Sequence, residues 1–281
     1  MDTYKLKNNI YKTLAYIFLI TLFLITFVPI YMLLINATRS TEQINTGFSI
    51  LPGTNLLENW RIIQGFGINI PLGFRNSAII AVSSTVLSVY FSLLTAYALV
   101  VYDFKFKRLF YGFVIAMTLV PLQLYLIGFF QYMHAIGLLN TMWPLIIPAI
   151  ASPAGVFFFK QYLDAALVPE LIQAARIDGA SEFTIFNKIA LPLARPGAFT
   201  QAIFGFVAAW NSFMPPLFII QGNQDLHTLP LIMQRLQAGQ FRNDFGAIYL
   251  GMAITLVPII IVYAVLSKYI VNGISLGSVK E

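Results

Sequence analysis

Cysteine is absent from all 281 residues, which excludes disulfides, thiol catalysis and cysteine-held metal and leaves the redox compartment open. Charge is scarce as well: 10% of the residues are Asp, Glu, Lys or Arg, against about 25% in an average soluble domain. No G-x-x-x-x-G-K-[ST] run occurs, so the chain is not expected to bind ATP by itself. His134 and His227 fall in expected outer loops without a carboxylate cluster and read as ordinary surface histidines. No nucleophile–base pair, metal-ligand set or buried ion relay stands out, so neither a catalytic residue nor a metal site is expected. There is no internal repeat and no low-complexity tract.

What is abundant is apolar: 58% of the chain. A soluble fold of this length could not cover so much apolar surface. Six apolar runs, at about 14–36, 76–101, 109–131, 143–162, 197–220 and 245–267, reach the roughly 20 residues that a bilayer core of about 30 Å requires. The only charge within them is Lys160, near an end; a charge at mid-bilayer would cost about 2.5–3.5 kcal/mol or more. The run Ala15–Ile35 follows Lys5, Lys7 and Lys12 but is too long for a signal core and lacks a small-residue cleavage site, so it reads as a first span.

The net charge of +6 does not point to nucleic acid, because the basic residues sit in short clusters between the runs. With the N-terminus inside, the cytoplasmic segments hold Lys5, Lys7, Lys12, Lys105, Lys107, Arg108, Lys160, Arg176, Lys188, Arg195, Lys268 and Lys280. The outer loops hold only Arg39, Arg61, Arg75, Arg235 and Arg242. That bias satisfies the positive-inside rule and puts both termini in the cytoplasm. The expectation is an all-α integral membrane protein of about six transmembrane helices, a single transmembrane domain over 1–281. It comprises a first span plus external loop (1–75), a five-helix core (76–268) containing a long inner loop (162–195), and a cytoplasmic tail (269–281).

Two outer segments exceed plain turns. Thr38–Arg75, with Pro52-Gly53, Asn55 and Trp60, reads as an ordered external loop; Gln221–Asp244, with Pro230, Arg235, Gly239 and Arg242, reads as a partner contact. Within the second run, Ser84, Ser88, Ser92 and Ala96 recur every four residues. Small residues at that spacing let helix backbones approach closely in lipid.

The inner loop is built differently. Pro169 and Glu170 suit the first turn of a helix. Gly179 sits just past its end, where a left-handed residue is easily accommodated. Ser181 caps a second short helix with Glu182 in its first turn, and Leu191, Pro192 and Pro196 return the chain to the membrane. The stretch Gln173-Ala174-Ala175-Arg176-Ile177-Asp178-Gly179-Ala180, followed by Phe186, Ile189 and Leu191-Pro192, resembles the EAA loop of bacterial ATP-binding-cassette importer permeases. Tyr269–Lys280 resembles the tail of carbohydrate importers of the maltose type, in particular the shorter of their two permease subunits.

That resemblance implies a type I importer fold in the bacterial cytoplasmic membrane. It implies four kinds of partner: a second permease chain forming a heterodimer, two ATP-binding-cassette ATPase subunits that carry ATP and Mg, an extracytoplasmic solute-binding protein, and a sugar. It assigns ATPase coupling to Gln173, Ala174, Ala175, Asp178, Gly179, Ala180 and Pro192, with no cofactor on this chain. Gln173 departs from the family's usual Glu, which removes any salt bridge to an ATPase arginine. For the solute path, Trp210-Asn211-Ser212 before Pro215-Pro216, and Gln123 with Tyr125 after Pro121, offer polar and aromatic groups beside broken helix. Each set also has a plain packing reading, Asn211 and Ser212 as glue between helices and the Pro121 set as a kink with an interhelical hydrogen bond. A gradient-driven carrier would need intramembrane Asp, Glu or Arg, and none is visible in the runs; a non-transporting scaffold leaves the Gln173–Pro192 pattern unexplained.

Overall fold

The computed structural model describes residues 2–65, 67–238 and 243–277. Gly239, Arg242 and the tail from Ser278 onward, all used above, lie outside the described residues. Among the described residues every regular element is helical. In chain order these are α1 (Asp2–Asn36), α2 (Thr41–Asn45), α3 (Leu56–Gly65), α4 (Ile70–Val101), α5 (Lys107–Thr118), α6 (Leu122–Ala135) and α7 (Trp143–Ile146). They continue with α8 (Pro153–Ala166), α9 (Pro169–Ile177), α10 (Glu182–Ile185), α11 (Leu191–Leu193), α12 (Arg195–Trp210), α13 (Met214–Ile219), α14 (Leu229–Gln237) and α15 (Phe245–Gly277).

All six apolar runs are helical, but not all in one piece. Among the described residues four stretches are long and apolar enough to cross a bilayer, Lys7–Asn36, Ile70–Val101, Trp143–Ala166 and Phe245–Ser267, and five if the bent α5–α6 pair is one span. The third run is broken, with α5 and α6 meeting at 101°. Pro121 causes this: it adopts an extended ψ of 135° at the start of α6 and offers no amide to the turn before it. The fifth run is split into the 16-residue α12 and the 6-residue α13. In an unbroken helix the carbonyls of Asn211 and Ser212 would bond the amides of residues 215 and 216, and both of those are proline.

The chain forms two compact units, one up to Asn69 together with Met233–Val257, the other Ile70–Ile232 together with the stretch from Pro258 on. In the first, the segment after α1 is organised around the buried Arg39. Its guanidinium donates to Asn36 Oδ1 at 3.1 Å, to Gly47 O at 3.0 Å and to Gln43 O, while Asn59 Nδ2 donates to the carbonyls of Ala37 and Arg39 at 2.9 and 3.0 Å. The expected order of this segment therefore has a specific polar core.

In the second unit α4 is the axis against which α8 and α12 pack. The small-residue stripe is buried at Ser84, Ser92 and Ala96 and half-buried at Ser88. Its tightest point is Ser92 against Gly155 of α8. A Cβ on Gly155 would lie 2.5 Å from Ser92 Oγ, so only glycine permits this approach, and Ser92 Oγ donates to Ser152 O at 3.4 Å. Close van der Waals contact of this kind is what holds helices together where lipid is as apolar as the side chains.

Candidate functional site

The segment between α8 and α12 folds as a helix, a glycine turn and a second helix, for the local reasons read from its residues. Pro169 occupies the first turn of α9 with Glu170 beside it. At the other end Ala180 N–H bonds Ala175 O at 3.0 Å and Gly179 N–H bonds Arg176 O at 3.1 Å. These are the crossed bonds of a Schellman cap, which needs a left-handed residue at its centre. Gly179 supplies it with φ +80°. Ser181 then caps α10, accepting from Thr184 N–H at 3.3 Å. Pro192, with no N–H to give, follows a π-turn over Phe186–Ala190, closed by Leu191 N–H to Phe186 O.

This loop stands on a buried base. Ile172 and Ala175 of α9, Ile185, and Phe186 and Ala190 of the π-turn pack with Leu93, Ala96 and Tyr97 of α4 and Phe159 and Leu163 of α8. The upper face is the reverse. Gln173, Ala174, Asp178 and Gly179 are exposed, and two large apolar side chains flank the turn uncovered: Ile177 is 86% and Phe183 69% exposed. Of the residues assigned to coupling, the structure thus gathers Gln173, Ala174, Asp178 and Gly179 on one exposed rim. It places Ala175 beneath that rim, Ala180 half-buried at its edge, and Pro192 half-buried where the chain turns toward α12.

One polar cluster locks the loop to α4, and sequence reasoning had not assigned it. Glu182 Oε1 accepts from Arg176 Nε at 2.6 Å. Its Oε2 accepts from Tyr102 Oη at 2.5 Å and Tyr97 Oη at 3.3 Å. The Arg176 guanidinium also lies 5.6 Å from the Tyr102 ring centroid. The Arg176 bond, and after it the Tyr102 hydroxyl, hold the Glu182 carboxyl below the usual carboxylate range; Glu182 in turn raises Arg176. Burial, and then the bond to Glu182, raise the Tyr102 phenol. The one local signal was Arg176 and Glu182 facing each other across the glycine turn; the tyrosines lie some eighty residues away in sequence.

A cleft of about 730 Å³ opens where three interrupted helical segments of the second unit meet. Thr118 and Tyr125 come from the α5–α6 break, Pro148 and Ser152 from the α7–α8 connection, and Ser212 and Pro215 from the α12–α13 break. Irregular backbone at membrane depth is tolerated where it lines a cavity. Of the expected path residues, Tyr125 and Ser212 line this cleft. Trp210 is buried instead between Phe206, stacked at 5.5 Å, and Phe74, edge-on at 5.4 Å. Asn211 is exposed and turns its amide back onto Val207 O at 3.0 Å; Gln123 is exposed on the first turn of α6 and outside the lining. His134 sits in the last turn of α6, and His227 O accepts from Asn76 Nδ2 at 3.1 Å. The described residues contain no group of three His, Cys, Asp or Glu placed to hold a metal ion.

Residues 88–276 match a family model described as "binding-protein-dependent transport system inner membrane component". The chain is 34% identical over 281 residues to the arabinooligosaccharides transport system permease protein AraQ of Halalkalibacterium halodurans, covering 98% of this chain and 100% of that one. It is 31% identical to the diacetylchitobiose uptake system permease protein NgcG of Streptomyces coelicolor, covering 95% and 89% respectively. Its fold is similar to that of a chain in a crystal structure of a bacterial ABC transporter involved in the import of the acidic polysaccharide alginate, with a TM-score of 0.80 at 19% identity over 94% of this chain and 97% of that one.

Proposed function

The chain belongs to the family of binding-protein-dependent transport system inner membrane components, multi-pass permease subunits rather than enzymes, and from that premise we propose how it works. It passes a sugar or oligosaccharide into the cytoplasm, driven by ATP hydrolysed on separate subunits. ATP and Mg are held by two ATP-binding-cassette partners and no cofactor by this chain. A second permease chain completes the pore, an extracytoplasmic binding protein delivers the solute, and both termini face the cytoplasm. Relatives named for arabino-oligosaccharides and diacetylchitobiose transport support a carbohydrate solute.

The observation that carries this reading is the loop between α8 and α12. Exposed Ile177 and Phe183 flank the Gly179 turn, yet the base beneath them is buried against two membrane helices. An apolar rim on a rigid footing is suited to insertion into a cleft of another protein, and a loop so anchored passes the displacement of that protein to α4 and α8. Gln173 stands on the rim, where its amide hydrogen-bonds the ATPase in place of an ion pair. The cleft lined by Tyr125 and Ser212 is this chain's half of the solute path, offering a few hydroxyls on an otherwise apolar wall.

Gly179 tests the coupling role. A Cβ there meets nothing within 4 Å, so the first atom of a side chain has room, and the cost at that atom is left-handed strain, which Asn tolerates better than most residues. Gly179→Asn is expected to retain most uptake of labelled arabino-oligosaccharides in membrane vesicles. Gly179→Trp is expected to reach the membrane in normal amount and abolish both uptake and ATPase stimulation. Normal uptake by the Trp variant would remove the docking role.

A further inference from the structure

The apolar base beneath α9 resists separation but has no direction; the Glu182 cluster has one. Its single carboxylate receives hydrogen bonds from three parts of the chain. Arg176 lies on α9, Tyr97 in the penultimate turn of α4, and Tyr102 one residue beyond the end of that helix. Both oxygens are engaged, so α9 cannot rotate or slide along α4 without breaking charge-assisted bonds. The rings reinforce the geometry: Tyr97 and Tyr102 are perpendicular with centroids 6.2 Å apart, and Tyr97 packs on Phe186 at 5.5 Å.

The far end of the same helix is clamped too. Asn76 is fully buried. Its Nδ2 donates to Asp225 O at 2.7 Å and His227 O at 3.1 Å, and Ser77 Oγ accepts from Leu229 N–H at 2.9 Å. These bonds hold the segment that runs from α13 into α14. The 32 residues of α4 are about 48 Å long at 1.5 Å per residue. One helix therefore joins the inner loop to an outer loop, with a polar clamp at each end.

We propose that Glu182 pins α9 and α4 into one moving body, with Arg176, Tyr97 and Tyr102 as positioning residues, so that displacement of the docking helix reaches the outer loop through α4. This rests on the docking role of α9 and adds the route by which the motion leaves it. Coupling between distant sites needs an element that both sites bias, and a rod held at both ends satisfies that condition.

The chain's lack of cysteine makes the test direct. Nitroxides at Glu170→Cys on α9 and Val82→Cys on α4, both exposed positions, report the separation of the two elements by pulsed electron resonance in the complete transporter, its partner chains freed of cysteine. The parent separation is expected to agree with and without ATP plus vanadate to within about 2 Å, the scale of ordinary helix shifts. Arg176→Glu should make it nucleotide-dependent, and Arg176→Glu with Glu182→Arg should restore the parent distribution. Basal ATP turnover should stay within about twofold while stimulation by the loaded binding protein falls about tenfold in the single variant. Tyr102→Phe, which removes one hydroxyl, covers the case in which the charge reversal fails to assemble, and should broaden the distribution in the same direction. A parent separation that changes with nucleotide, or variants that all keep the parent distribution, would overturn the joint. Failure of the docking role is separate, because it appears as normal uptake in Gly179→Trp.

Discussion

The helices α1 and α4 are of similar length, 35 and 32 residues, and both are apolar enough to cross a bilayer, yet they are used in opposite ways. In α1 the residues from Lys7 to Ile30 are all exposed. In α4 39% of the most apolar window is buried, and along the helix Asn76, Ser92 and Ala96 are all buried. The more apolar of the two is the one whose most apolar window has no buried residue. In lipid there is no hydrophobic drive between helices, so apolarity buries a helix in the membrane, while small and polar residues bury it in protein. Serines, a buried amide and two tyrosines are what make α4 the axis of its unit.

The sharpest way to break that contrast is to fill the α4–α8 contact. Gly155→Leu sets a side chain where even a Cβ would sit 2.5 Å from Ser92 Oγ. Overpacking of a tight contact costs about 1–3 kcal/mol and occasionally more, and here the helices themselves would have to separate. The expected outcome is loss of folded chain from the membrane fraction, read by detergent extraction and size-exclusion profile. A Gly155→Leu chain that elutes and melts like the parent would show that α4 is no more constrained than α1.

How much of this was legible in advance follows the range of each signal. The Gly179 cap, the Ser181 cap and the Pro169 start of α9 are local chemistry, and they stand where the residues put them. The Ser84–Ser92–Ala96 stripe is a periodicity within one helix and is buried as expected. The Glu182–Tyr102 bond joins residues eighty apart, and no local pattern announces it. Trp210 beside Asn211 resembles a sugar platform in sequence, but Phe74, far upstream, covers its ring. The prolines foretold breaks in the third and fifth runs; where the broken ends meet, and that Thr118 and Ser152 join Tyr125 at the cleft, depended on how three segments pack. The association of Met233–Val257 with the N-terminal stretch is equally non-local.

A subtler separation of the two helices comes from pH, because the foot of α4 carries an ionised partner and the exposed face of α1 does not. Arg176 and Tyr102 lower the Glu182 carboxyl. A depressed carboxyl stabilises the fold fully above its unfolded value, about 4.3, and that contribution is lost as pH falls through the lower folded value. Thermal unfolding of the detergent-solubilised parent and of Glu182→Gln should therefore differ by a constant gap from neutral pH down to about 5, closing as the pH falls below about 4. A gap that persists into acid would mean that charge at Glu182 is irrelevant to the joint.

The smallest effect is expected in α1, and its smallness is the point. Among the described residues Phe27 stacks within its own helix, on Phe23 at 5.1 Å and on Tyr31 at 5.9 Å. Same-helix pairs of this kind are worth about 0.2–0.5 kcal/mol each, so Phe27→Ala should move the unfolding of the isolated chain in detergent by no more than about 1 kcal/mol. Phe159 of α8, fully buried under the loop against α4, should cost about 3–5 kcal/mol as Phe159→Ala because it leaves a cavity. The two substitutions delete the same atoms from equally apolar surroundings, so a difference between them measures protein packing alone. If Phe27→Ala destabilised the isolated chain as much as Phe159→Ala, the exposed face of α1 would be carrying contacts inside this chain, and the division between a lipid-facing helix and a packed one would fall.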